Sequence, residues 1–66
     1  MCEANAYLRQ PDGREKLVME NVYRLRPEGR RLLLENIFGE QLLLDAELAR
    51  VSLMEHRLVF QPRRPD

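Results

Sequence analysis

From Cys2 to Leu8 the chain alternates, with Cys2, Ala4, Ala6 and Leu8 on one parity and Glu3, Asn5 and Tyr7 on the other. A period of two predicts a half-buried strand. Leu17, Val18, Met19, Val22, Tyr23 and Leu25 form a second apolar cluster whose phase slips near Glu20-Asn21. A bulge inside one strand accounts for that slip. Arg30 to Phe38 reads as a third strand. Leu42, Leu44, Ala46 and Leu48 alternate with Leu43, Asp45 and Glu47 in a fourth, and Arg57 to Gln61 closes the series.

Turn signals separate these runs. Pro11-Asp12-Gly13 and Pro27-Glu28-Gly29 combine a preset proline φ with a glycine that accepts positive φ, and Gly39 breaks the chain after Phe38. Met54-Glu55-His56 is a weaker turn. Short strands at even spacing predict an all-β fold, a small antiparallel barrel-like domain over residues 1–61. Residues 62–66, with Pro62 and Pro65 around Arg63-Arg64, read as a flexible tail. The alternative is a helix from about Gln41 to Leu53, because Leu44, Leu48 and Val51 also fit a helical face. The lack of a good N-cap before Leu42 favours strand.

Length and charge narrow the function. A chain of 66 residues has a marginal core, which disulfides, a metal or a second subunit usually reinforce. The one cysteine excludes an internal disulfide and suits a reducing, cytoplasmic setting. Eleven basic residues against eleven acidic ones argue against a dedicated nucleic-acid binder. No apolar run approaches the ~20 residues of a membrane helix. One histidine, one cysteine and little volume for a shielded pocket argue against an enzyme.

Leu32-Leu33-Leu34 and Leu42-Leu43-Leu44 put apolar side chains on both faces of a strand. The inner face covers the core; a homodimer interface is the simplest cover for the outer one. Leu25, Leu34, Ile37, Phe38, Leu44, Leu48, Val59 and Phe60 are the expected core or interface residues.

Candidate chemistry is sparse. Cys2 and His56 are the good soft-metal ligands, with no CxxC or HExxH pattern, so one chain cannot close a zinc site. Cys2 stands too near the start of the sequence to serve a core. Its thiolate, its own amide and the terminal amine offer a nitrogen-and-sulfur donor set suited to Ni(II) or Cu(II). A two-fold dimer would double that set. His56 is the weaker candidate, and Met1 and Met54 read as packing. A nucleic-acid reading would use Arg30, Arg31, Arg63 and Arg64 on phosphates, with Tyr7, Tyr23 or Phe38 stacked on bases.

The opening Met1-Cys2-Glu3-Ala4-Asn5-Ala6-Tyr7 resembles the CooT family. So do Leu25-Arg26-Pro27-Glu28-Gly29, the stretch Leu32 to Glu40 (LLLENIFGE) and Ser52 to Val59 (SLMEHRLV). The resemblance covers nearly the whole chain except the 62–66 tail. It implies a nickel-binding accessory protein that acts in maturation of the nickel-iron-sulfur centre of carbon monoxide dehydrogenase. It further implies a homodimer with Ni(II) held between subunits, the family's cysteine falling on Cys2. The partners it implies are the dehydrogenase or its other maturation proteins, with a small RNA-binding barrel as the alternative. Copper or zinc remain competing metals, because affinity order alone favours copper over nickel.

Overall fold

The computed structural model describes residues 3–63. Six strands run in chain order: β1 (Ala4–Arg9), β2 (Glu15–Glu28), β3 (Arg31–Asn36), β4 (Gln41–Leu44), β5 (Ala46–Ser52) and β6 (Arg57–Pro62). They form one sheet in the order β4-β3-β2-β1-β6-β5. No helix occurs among the described residues, so the stretch from Gln41 to Ser52 is strand on either side of Asp45 rather than the alternative helix. Neighbouring strands are antiparallel except β1 and β6, which pair in parallel from Asn5↔Arg57 to Leu8↔Phe60.

The two outermost strands of that order are consecutive in the chain. Only Asp45 separates β4 from β5, yet they occupy opposite edges. A single residue cannot bridge a flat six-stranded sheet, since adjacent strands lie about 4.8 Å apart. The sheet therefore curls until its edges approach, and β3 comes into contact with β5. Leu42 to Leu48 is thus two strands joined at a corner, where the sequence suggests one. Leu42, Leu44 and Ala46 all turn inward across Asp45, so the bend leaves the period of two intact.

β2 supplies the other corner. Its first half pairs with β1 as far as Val22, and its second half pairs with β3 from Val22 onward. Between Met19 and Val22 the register slips and Asn21 takes φ 56°, the bulge expected near Glu20-Asn21. The Asn21 N–H donates to Asn5 Oδ1 (3.2 Å), and its carbonyl accepts from the Ile37 N–H (3.1 Å). Pro27 lies inside β2 opposite Leu32, where the strand has one neighbour only, an edge position that tolerates proline. The turn beyond it tightens to Gly29-Arg30. Pro62 is the last residue of β6, opposite Ala46, one position past the predicted strand end.

The core gathers Ala6, Met19, Val22, Leu34, Ala46 and Phe60, with Val59 also buried. Leu34, Val59 and Phe60 match the expected core, and Leu25 and Leu44 pack half-buried against it. Ile37, Phe38 and Leu48, expected in the core or an interface, are exposed. Ile37 and Phe38 occupy a turn, and Leu48 adjoins the β5 bulge, where the strand loses phase with the interior. The leucine triplets divide as alternation requires. Leu32↔Leu44 and Leu34↔Leu42 line the inside, while Leu33↔Leu43 pair on the outer face and partly shield each other.

Candidate functional site

The start of β1 is held by its backbone. The Asn5 N–H donates to the His56 carbonyl at 2.8 Å, and the Asn5 side chain accepts from Asn21. Asn5 therefore joins the β5–β6 turn to the β2 corner. Beside it opens a cleft of about 280 Å³, walled by Glu3, Tyr23, Val51, Leu53, His56 and Leu58. That is small for a ligand pocket, and its walls are mostly apolar. Leu53 is 80% and the neighbouring Met54 95% exposed, an unusual presentation for large apolar side chains at a turn tip.

Cys2, the expected metal ligand, lies outside the described residues, as do Met1 and Arg64. Its chain neighbour Glu3 lines the cleft. His56 lies exposed on the same cleft in a left-handed conformation, φ 54°. The comparable end positions of the β1–β2 and β3–β4 turns carry Gly13 (φ 91°) and Gly39 (φ 83°). A residue with a Cβ in this region costs about 1–2 kcal/mol relative to glycine. Replacing His56 by glycine is therefore expected to stabilise the fold by about 0.5–1 kcal/mol, once glycine's larger unfolded-state entropy is set against the relief. Thermal unfolding of the two proteins measures it. Among the described residues no three His, Cys, Asp or Glu side chains converge on a metal-sized site.

The residues of the nucleic-acid reading are dispersed. Tyr7 lies under the Arg57 guanidinium, 3.9 Å from its centroid. Arg57 also donates to Glu15 at 2.7 Å, and Glu15 pairs with Arg50 at 3.7 Å. That face of Tyr7 is thus committed to a structural cluster that ties β1, β2, β5 and β6 together. Arg30 and Arg31 stand at the start of β3 and Phe38 beyond its end, about 20 Å apart along six residues of strand. Tyr23 is on the cleft and Arg63 follows β6.

Sequence reasoning missed Asn36. It is 2% exposed and hydrogen-bonded through both its side chain and its backbone. Its Oδ1 accepts from the N–H groups of Phe38 (3.1 Å) and Glu40 (2.9 Å), and its Nδ2 donates to Glu40 Oε1 (2.7 Å). The Asn36 N–H donates to the Glu40 carbonyl (3.1 Å), and its carbonyl accepts from the Gly39 N–H (3.2 Å). The signal was present as Asn36 three residues before Gly39, the spacing of an Asx turn closed by a left-handed glycine.

Known proteins bear on this arrangement. Residues 1–61 match the family model described as CO dehydrogenase accessory protein CooT. A crystal structure provisionally assigned as CooT from Carboxydothermus hydrogenoformans superposes with a TM-score of 0.87 at 38% identity. The alignment covers 96% of this chain and 100% of that one. No curated protein sequence matches.

Proposed function

The chain belongs to the CooT family of CO dehydrogenase accessory proteins, and from that premise we propose that it is a nickel carrier for the enzyme's maturation. In this reading Ni(II) is cargo, held through Cys2 at the two-fold axis of a homodimer in the cytoplasm. The nickel-iron-sulfur centre of CO dehydrogenase is its destination. The chain itself carries out no catalysis.

The observation that carries the reading is the anchored start of β1 beside an apolar cleft. Asn5 is fixed from two sides, and Glu3, next to Cys2 in the chain, lines the cleft with Tyr23, Val51 and Leu53. A second copy laid over those side chains would cover exposed apolar surface and bring two N-terminal segments together. Thiolate and backbone nitrogen suit nickel or copper, and copper or zinc would compete on affinity. His56, exposed on the same cleft, is the nearest described candidate for a further donor. A site with few protein ligands and little supporting structure releases its metal more readily than a closed cage, as a carrier requires.

Titrating nickel into the protein and its Cys2→Ser variant tests this reading, by absorption and calorimetry. The expected result is a thiolate-to-nickel charge-transfer band that saturates near one metal per two chains and is lost in the variant. Equal binding by both proteins, or binding by neither, overturns it.

A further inference from the structure

Ile37 and Phe38 form the tip of the β3–β4 turn, 48% and 68% exposed. Large apolar side chains at a turn tip are ordinarily replaced by polar ones unless something covers them. Here the turn beneath them is unusually firm. The buried Asn36 side chain ties down Phe38 and Glu40, Gly39 closes on the Asn36 carbonyl, and the Ile37 N–H is held by the Asn21 carbonyl. A rigid backbone that displays an aromatic ring loses little entropy when the ring is captured, which is the property of an interface anchor.

The surroundings define the complement. Phe38 borders a concavity of about 240 Å³ with Leu17 and Val18 on its apolar side and Glu20 and Glu40 on its polar side. Neither carboxylate has a cationic partner among the described residues. Two negative charges beside an exposed ring repel phosphate backbones and anionic lipid. They also disfavour a second copy, because a two-fold contact through Phe38 would oppose Glu20 and Glu40 to their own equivalents.

We propose that the Ile37-Phe38 turn docks CO dehydrogenase, by inserting Phe38 into an apolar pocket of the enzyme rimmed by lysine or arginine. The identity of the partner rests on the carrier reading above; the chemistry of the surface does not. Position supports the assignment. Ile37 is bonded to Asn21, Asn21 to Asn5, and Asn5 to His56, so the turn and the β1 start belong to one end of the barrel. An enzyme docked on Phe38 sits at the same end of the barrel as the start of β1.

The test is calorimetric binding of the full chain to nickel-free CO dehydrogenase, with Phe38→Ala and Glu20→Lys variants. Phe38→Ala is expected to weaken binding at least tenfold. Glu20→Lys is expected to weaken it several-fold and to flatten its salt dependence. Both variants should keep the parent's melting temperature, oligomeric mass and nickel stoichiometry. Undiminished binding by Phe38→Ala, or no binding by the parent chain, overturns the proposal. A change of oligomeric mass in Phe38→Ala also overturns it, and assigns the turn to a second copy. If the parent fails to bind nickel while the Phe38 dependence holds, docking stands and the cargo assignment falls.

Discussion

Phe60→Ala is expected to remove most of the domain's stability. Phe60 is fully buried among Ala6, Met19, Val22, Leu34 and Ala46, from strands on every side of the barrel. Truncating such a ring leaves a cavity and costs about 3–5 kcal/mol. A chain of 66 residues holds roughly 3–10 kcal/mol in all, by the usual allowance per residue. A drop in melting temperature of about 15–30 °C, or loss of a cooperative transition, should follow in calorimetry or circular dichroism. Phe60→Leu retains most of the volume and should cost under about 1.5 kcal/mol. The other phenylalanine is the internal control. Phe38→Ala removes an exposed ring, so its effect should stay within about 0.5 kcal/mol.

Asn36→Ala is expected to cost about 2–3 kcal/mol, a large loss for one polar side chain at the end of a strand. The substitution strips the Phe38 and Glu40 N–H groups of their acceptor and Glu40 Oε1 of its donor. Three groups left without partners around a part-buried site account for that magnitude. Asn36→Asp separates the contributions. The acceptor for both N–H groups survives, but a carboxylate oxygen now meets Glu40 Oε1 across the 2.7 Å contact that Nδ2 bridged. Two carboxylates that close share a proton, and one acquires a raised pKa. A raised pKa in the folded state means stability is gained as pH falls. Asn36→Asp should therefore be least stable at neutral pH and recover toward the parent as pH drops, before general acid unfolding begins. Melting temperatures of both proteins across acidic pH measure the crossover.

What the sequence made legible was whatever local pattern could encode. The alternation from Ala4 to Leu8, the phase slip at Asn21 and the glycine turns at Gly13 and Gly39 all express short-range constraints, and each was found where expected. The β4–β5 corner was invisible because Leu44 and Ala46 face the same interior from two strands, so parity runs straight through Asp45. The parallel pairing of β1 with β6 was invisible for another reason: partners such as Ala6 and Leu58 lie far apart in the chain, and nothing local in either strand names the other. Ile37 and Phe38 could be placed only as core or interface, because apolar character alone does not separate a buried position from an exposed one. At the candidate site, the sequence singled out Cys2 and His56 by chemistry. It gave no hint that Asn5 and Asn21 join both flanking turns to the start of β1.

The parallel β1–β6 seam also fixes how the domain carries load. The register from Asn5↔Arg57 to Leu8↔Phe60 places Ala4 and Pro62 at opposite ends of adjacent strands. Tension applied through those two points pulls the strands past each other along their length. The slanted, evenly spaced hydrogen bonds of the seam are then strained together instead of being peeled off one after another. A hairpin pulled at its open end would unzip at low force. This barrel resists as a shear clamp, mechanically tougher than a small domain with so modest a core would otherwise be.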